Sequence, residues 1–157
     1  MKALSIRQPW AWLVVNGWKN IENRERRFSH RGPLLIHAAA WVTPADYEAC
    51  RIFVDGICED LAMPAFEDLE RGGIVGEVVV LDCVQQHPSP WFTGPYGLVL
   101  DEACHCPLIR WRGIPGLFDV PVDSLDLPPN AGGQIPPASG DRLDAVVGAS
   151  GGKEGTR

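Results

Sequence analysis

Three charged side chains with the means for acid–base chemistry lie within a short segment of the chain: Lys19, Glu22 and Arg24. A carboxylate accepts a proton or holds a water, and a guanidinium stabilises an oxyanion. A lysine acts as a base only where its surroundings lower its pKa from about 10.4, and here Arg24 and Glu22 act in opposite directions. The same residue types also suit an exposed ion-pair cluster, which is a common and weak arrangement. The sequence leaves both interpretations open.

The local structure decides whether these side chains meet. Residues Lys19–Arg24 alternate around Ile21, which predicts a strand. On a flat strand, residues three apart face opposite sides of the sheet. Lys19 and Glu22 therefore enter one pocket only if a bulge or turn occurs at Asn20–Ile21.

The flanking elements are predicted from the hydrophobic pattern and from the Pro and Gly residues at the ends of each segment. Ala3–Ile6 reads as a short strand, and Pro9 and Gly17 bracket a helix over Trp10–Asn16. Pro33–Ala39 is typical of a buried strand. These elements precede and follow the charged segment, so they are expected to position it.

The remaining elements predict the fold class. Thr43 and Asp46 resemble a helix cap, and the following helix has an apolar stripe. Gly73–Val84 is rich in β-branched residues and predicts a long central strand. Many short strands with two helices indicate an α+β fold, a small mixed β-barrel flanked by helices. The stripe is Tyr47, Cys50, Phe53, Val54 and Ile57, and the later strands are Tyr96–Leu100, Pro107–Trp111 and Phe118–Val120.

Charge is unevenly distributed. The 157 residues carry a net charge of −6 and have a pI near 5.1, unlike a DNA-coating protein. Residues 1–31 nevertheless contain seven basic residues against Glu22 and Glu25, a net +5, so residues 32–157 carry −11. This basic region predicts where an anionic or polar ligand binds, although a solvated strand and loop would look the same. No apolar run reaches the ~20 residues of a membrane span and no signal core begins the chain, which predicts a cytoplasmic protein with no membrane partner.

Composition also divides the chain. Residues 126–157 contain 4 Pro, 7 Gly and no aromatic residue, which predicts a flexible tail after a folded domain at 1–125. Five cysteines without regular spacing favour reduced thiols. Cys104-His105-Cys106 could suggest zinc, but a second pair of ligands is missing at the usual spacing. We therefore predict no metal and no other cofactor.

Several segments together resemble the ASCH domain family, in its small bacterial and phage branch. The resemblance covers about residues 1–122. The matching segments, in chain order, are Ala3–Ala11, Gly17–Arg24, Arg31–Ala38, Gly73–Gly76, Asp82–Val84, Ser89–Phe92 and Gly116–Asp119.

The resemblance implies a PUA-like β-barrel whose cleft, beside the first helix, is lined by the G-x-K-x-x-E-x-R stretch. One branch of the family consists of amidohydrolases that remove the acyl group from N4-acetylcytidine, using a lysine, a threonine three residues later and a distant glutamate. Lys19 occupies the lysine position, whereas Glu22 stands where the threonine would be; Glu77 is the candidate for the distant glutamate. This implies a metal-independent amidohydrolase with Lys19, Glu22 and Arg24 as catalytic residues.

The expected substrate is a modified nucleoside or RNA. Gln8 and Asn23 are candidates for reading a base edge, although local turn bonding would explain them equally well. Trp10, Trp91 and Tyr96 are candidate stacking surfaces, with core packing as the alternative.

Two other functions remain open. One is a noncatalytic RNA- or modified-base-binding module. The other is a ribonuclease in which Lys19 and the Arg24–Arg27 run stabilise a phosphorane, without a persuasive pair of histidines. His37 is interpreted as a satisfied barrel histidine rather than a proton shuttle.

Overall fold

The computed structural model describes residues 1–125, and the predicted flexible tail at 126–157 lies outside the described residues. The described chain forms six strands, two helices and two short 3₁₀ turns at Phe66–Asp68 and Val122–Ser124. The strands are β1 (Lys2–Ile6), β2 (Ile21–Arg24), β3 (Gly32–Ala38), β4 (Gly73–Val84), β5 (Tyr96–Arg110) and β6 (Leu117–Asp119); the helices are α1 (Trp10–Val15) and α2 (Pro44–Asp55).

All six strands belong to one mixed sheet in the order β2-β5-β4-β3-β1-β6. β1 and β3 are parallel, and the other neighbouring pairs are antiparallel. The sheet curls into a half-barrel with β2 and β6 at its edges. The predicted α+β class, a mixed sheet flanked by helices, is therefore confirmed.

Helix α1 packs on the sheet and completes the main core. Ala11, Val14 and Val15 are buried against apolar side chains of the four inner strands, β1, β3, β4 and β5. A Cβ at Gly76 of β4 would lie 2.7 Å from Val15 Cγ1, so only glycine lets the helix approach so closely. This close packing fixes the position of the turn that follows α1.

Helix α2 packs on a second, smaller core. Cys50 and Val54 of α2 are buried there with Leu13, Ile21 and Trp91. The predicted cap at Thr43 is confirmed as a capping box with Asp46. The second core lies beside the charged segment, so α2 contributes one wall of its surroundings.

Two predicted strands are one. Tyr96–Leu100 and most of Pro107–Trp111 belong to the single strand β5, which ends at Arg110, because β4 pairs with it from Gly97 to Arg110 despite three register shifts. Pro107 is tolerated since it falls in a register shift, between the pairs Gly76–His105 and Ile74–Ile109, where no ladder bond is lost. The predicted strand at Lys19–Arg24 is also too long, since β2 begins at Ile21.

Within the described part of the chain, neither helix has the length and apolar character needed to cross a membrane.

Candidate functional site

Lys19 lies in the turn between α1 and β2. The backbone nitrogens of Trp18 and Lys19 both donate to Leu13 O, at 2.9 and 3.1 Å. Gly17 has a φ of +75°, a left-handed conformation that glycine adopts without strain. The alternation of a strand therefore does not apply to Lys19, and its side chain turns inward on the same side as Glu22.

Lys19, Glu22 and Arg24 form one buried cluster, hereafter the charged cluster. Lys19 Nζ donates to Glu22 Oε2 at 2.7 Å and also to the carbonyl of Ile21. Arg24 Nη2 lies 3.0 Å from Glu22 Oε1. The three side chains are 5%, 11% and 21% exposed, so this is not an exposed ion-pair cluster. Each oxygen of the carboxylate faces a different cation.

Arg24 joins two strands that are distant in the sheet. Three strands separate β2 from β1, yet Arg24 Nη2 donates to Ser5 O at 3.4 Å. The guanidinium also lies 5.7 Å from the Phe28 ring. Its Nε is buried and has no hydrogen-bond partner among the described residues. The curl of the sheet thus brings the charged cluster next to β1.

An aromatic and thiol wall covers the other side of Lys19. The Trp10 ring centre lies 5.8 Å from Lys19 Nζ. The Phe53 ring lies 5.7 Å from Trp10 and 6.1 Å from Trp91. Burial raises the pKa of Cys50 to about 12, with the charge of Lys19 acting in the opposite sense. Cys50 is therefore a neutral thiol beside the lysine.

Asn23 anchors the segment before β5 to β2. Its Nδ2 donates to Trp91 O at 2.8 Å, and its Oδ1 accepts from Thr93 N at 2.9 Å. Ser89 Oγ also donates to Asn20 Oδ1 at 2.8 Å. An open groove of about 410 Å³ lies between this segment and the end of β2; its lining is Asn23, Arg24, Glu25, Arg26, Phe28, Thr93 and Gly94.

The other predicted binding residues have structural contacts. Gln8 is buried, its Nε2 donates to Glu70 O at 2.7 Å, and its Oε1 accepts from Trp12 N at 2.9 Å. One local bond, to Trp12, and one long-range bond, to Glu70, therefore account for both ends of the Gln8 amide. Trp91 is buried in the second core, and the half-buried Tyr96 packs against the main core. Among the predicted stacking residues, Trp10 lies beside Lys19.

Glu77 is not brought to the charged cluster. It is paired with Cys104 on β5, whereas Glu22 is paired with Leu98, six residues away on the same strand. Six residues of extended strand span about 20 Å. Burial, and then the charge of Glu102, raise the pKa of Glu77. The distant glutamate implied by the resemblance has no counterpart at this site among the described residues.

The remaining candidates lie elsewhere. His37 Nδ1 is 3.1 Å from Ser5 Oγ and its Nε2 is 3.0 Å from Trp111 O, as expected for a satisfied barrel histidine. Burial and the nearby Cys104 raise the pKa of Cys106 to about 11. Within residues 1–125, no group of three or more His, Cys, Asp or Glu side chains is arranged to hold a metal ion.

Sequence reasoning missed three contributors to the site: Cys50, Phe53 and the carbonyl of Ser5. The first two stood on a predicted apolar stripe, but a stripe does not show which surface it covers. A backbone carbonyl leaves no sequence signal at all.

Comparison with known families identifies the domain. The family model described as the ASCH domain matches residues 4–98, more than half of the chain and all of the charged cluster. The chain belongs to the ASCH domain family. The resemblance seen in the sequence is thereby confirmed at the level of the family, while its small bacterial and phage branch stays a prediction.

Two curated relatives contain a segment similar to this chain. The human and mouse proteins named activating signal cointegrator 1 are each 35% identical over 88 residues, which is 53% of this chain and 14% of each relative. The match thus spans about a seventh of the length of those relatives. Among solved structures, a point mutant of the ZmASCH protein from Zymomonas mobilis has a TM-score of 0.40 and 13% identity, covering 69% of this chain and 74% of that one.

Proposed function

We propose that this ASCH domain is an amidohydrolase that removes the acyl group from N4-acylcytidine-type nucleosides. The observation that supports the proposal is the charged cluster, in which Glu22 shares its two oxygens between Lys19 at 2.7 Å and Arg24 at 3.0 Å. A buried lysine, carboxylate and guanidinium supply a proton acceptor, a proton relay and an oxyanion donor, which amide hydrolysis requires. No metal ion or other cofactor is needed for this set of groups.

In the proposed reaction, Lys19 first gives a proton to Glu22 along their hydrogen bond. The neutral amine then accepts a proton from a water that attacks the acyl carbon. The resulting oxyanion is stabilised by the guanidinium of Arg24, which is one of the residues that line the groove. When the C–N bond breaks, Lys19 gives the proton from water to the exocyclic nitrogen, so cytidine and the free acid leave. Glu22 then returns its proton to Lys19, which restores the ion pair.

Glu22 departs from the threonine of the amidohydrolase branch. An ionised carboxylate cannot donate the hydrogen bond that a hydroxyl donates. Arg24 would supply that donor here, and Glu22 would act as the relay. We place the base of the substrate beside Trp10, with Trp91 and Tyr96 packed behind that ring. Asn23 would hold the segment that borders the groove, and Gln8 would hold the start of α1. Glu77 has no role in this proposal.

The test is incubation of the purified protein with N4-acetylcytidine and a panel of longer N4-acylcytidines, followed by chromatography of the cytidine released. We expect Lys19→Met to lower kcat at least 100-fold, because it removes the base while Glu22 keeps Arg24 as a partner. Lys2→Met is the matched control, because this lysine forms an exposed ion pair with Asp119 and should keep full activity.

Circular dichroism and urea unfolding show whether Lys19→Met is folded. Cytidine release by folded Lys19→Met at the wild-type rate would remove Lys19 from the mechanism. No release from any substrate by wild-type protein would refute the amidohydrolase proposal.

A noncatalytic RNA- or modified-base-binding module is the second candidate, favoured by two exposed arginines: Arg26, which lines the groove, and Arg27, which follows it in the chain. It predicts binding without turnover and an affinity that falls steeply with salt. A ribonuclease is less well supported, because each of the four histidines has its hydrogen-bond partners outside the charged cluster. A cytoplasmic location remains a prediction from the sequence.

A further inference from the structure

The charged cluster has polar neighbours at one cation and apolar neighbours at the other. Glu22 binds Arg24 through one carboxylate oxygen and Lys19 through the other. Arg24 lies in the wall of the groove of about 410 Å³, which is lined mainly by polar and charged side chains. Lys19 lies instead beside the ring of Trp10 and the thiol of Cys50. A ligand that spans the cluster therefore meets polar groups at one end and apolar groups at the other.

Phe53 closes the apolar end. Its ring centre lies 5.7 Å from that of Trp10 and 6.1 Å from that of Trp91. Cys50 and Phe53 are three residues apart on α2, so their side chains are neighbours on one face of the helix. Cys50 is 1% exposed and Trp91 4%, whereas Phe53 is 37% exposed. Phe53 thus forms the outer part of this wall, with buried side chains behind it.

The proposed reaction requires a place for the acyl chain close to the base. The chain is attached to the exocyclic nitrogen, so a base beside Trp10 with its amide bond at Lys19 brings the acyl carbons next to the Trp10 ring. Apolar carbons are stabilised by removal from water, and the aromatic rings and the thiol at this end provide that environment. Since the ring of Phe53 stands at the outer edge, it limits the length of chain that fits.

We propose that Phe53 determines which acyl groups the site accepts. Its ring closes an apolar subsite, hereafter the acyl subsite, that is bounded by Trp10, Trp91 and Cys50 and holds a short acyl chain. This inference rests on the proposed amidohydrolase function and narrows its substrates to N4-acetylcytidine and other short-chain N4-acylcytidines. Phe53 acts by shaping the subsite and takes no part in the transfer of protons.

The first experiment compares kcat/KM for N4-acetylcytidine and N4-hexanoylcytidine in wild type and Phe53→Ala. The substitution removes the ring and leaves its space beside Trp10. We expect the ratio of the hexanoyl value to the acetyl value to rise at least about tenfold, because one methylene in an apolar pocket already changes kcat/KM by about that factor. The matched control is Ile52→Ala, which truncates the adjacent, 62% exposed residue of α2 and should leave the ratio unchanged.

A larger side chain tests the acyl subsite in the opposite direction. Phe53→Trp should lower the same ratio, because the indole takes up space that the longer chain needs. Urea unfolding shows whether each variant is folded, and Phe53→Trp keeps the test decisive if Phe53→Ala loosens α2.

A tenfold shift of the ratio in the expected direction in either folded variant, absent from Ile52→Ala, supports the proposal. An unchanged ratio in both Phe53 variants, or the same shift in Ile52→Ala, would overturn it. Equal kcat/KM values for the two substrates in the wild type would also overturn it, since the ring would then impose no limit.

A second experiment separates the acyl subsite from the chemistry. Isothermal titration calorimetry measures binding of both acylcytidines to Lys19→Met and to Lys19→Met/Phe53→Ala, in which turnover is not expected. We expect the loss of the ring to favour N4-hexanoylcytidine over N4-acetylcytidine by at least about tenfold in Kd. If the wild type hydrolyses neither compound but this preference changes, the amidohydrolase fails and the acyl subsite stands. Hydrolysis by the wild type without any change of preference leaves the amidohydrolase intact and overturns the role of Phe53, as does the absence of binding to either protein.

Discussion

Glu22 is the residue on which the charged cluster depends. Its carboxylate is the shared partner of Lys19 and Arg24, with one oxygen bound to each. Charges removed from water are tolerated only when they are paired and hydrogen-bonded. Loss of Lys19 leaves Glu22 with Arg24, but loss of Glu22 leaves two cations without a carboxylate.

We therefore expect Glu22→Gln to lower the free energy of unfolding by about 3 kcal/mol, and Lys19→Met to lower it by clearly less. Urea unfolding followed by tryptophan fluorescence measures both values. Arg24 is about one fifth exposed, so some water reaches the cluster and the lower end of the usual range applies.

An exposed ion pair provides the control for that prediction. Glu48 lies 2.8 Å from Arg51 on α2, with both side chains about half exposed. Glu48→Gln should cost much less than Glu22→Gln, because water screens this exposed pair. If Glu22→Gln costs no more than Glu48→Gln, the charged cluster is not held together as described.

At the level of elements, α2 is held by the packing of its buried face on the second core and by the capping box at its first turn. Thr43 Oγ1 accepts from Asp46 N at 3.1 Å and donates to Asp46 Oδ2 at 2.8 Å. We expect Thr43→Ala to destabilise the domain by about 1 kcal/mol and to lower Tm by a few degrees. Because α2 carries Cys50 and Phe53 of the site wall, the same variant should raise KM for the substrate more than it changes kcat.

The capping box also has a pH dependence. Hydrogen bonds from Thr43 hold the pKa of Asp46 below its ordinary value of 3.8. A carboxyl whose pKa is lowered by folding stabilises the fold above its unfolded pKa and loses that contribution as the pH falls through the folded value. The stability difference between Thr43→Ala and the wild type should therefore be smaller at pH 2.5 than at pH 7. A difference that grows on acidification would contradict the bond to Asp46.

Local signals in the sequence were sufficient for several elements and insufficient for the site. Gly73–Val84 is a long β-branched run, and its predicted bounds match β4. The break predicted within β5 was wrong because polar residues and Pro107 look like a turn, whereas β4 pairs with the strand from Gly97 to Arg110 despite three register shifts. Lys19 was placed on a strand because Ile21 gives a period of two, but two backbone bonds to Leu13 O hold it in a turn.

The grouping of Lys19 with Glu22 and Arg24 could be proposed from spacing, but its burial could not. Burial comes from α2 and from the β1 carbonyl at Ser5, which are brought close by the curl of the sheet. Contacts of this kind depend on tertiary packing, which a local pattern does not encode. For the same reason Glu77 looked suitable in the sequence and proved to lie far along the sheet.

For the molecule as a whole, every strand and helix described here, and both cores, fall within residues 1–125. We propose that this segment is a self-sufficient domain. A chain ending at Leu125 should unfold in urea within about 0.5 kcal/mol of the full chain, because residues 126–157 contain 4 Pro, 7 Gly and no aromatic residue and so offer little apolar surface to bury.

A chain ending at Arg112 is the control for that truncation. It lacks β6 and the buried Phe118 and Val120, so it should lose several kcal/mol or fail to fold. Equal losses from the two truncations would place the boundary of the domain elsewhere.

The pairing of β1 with β6 brings the start of the domain close to its last strand. Lys2 is paired with Asp119, and the Met1 nitrogen donates to Val120 O at 2.6 Å, so the chain enters and leaves the domain side by side. A short linker could join these neighbouring ends, with new termini opened at the exposed Glu59–Asp60. Because the ends of the domain are neighbours, the domain could also be inserted into a surface loop of another protein without forcing the two cut ends of that loop far apart.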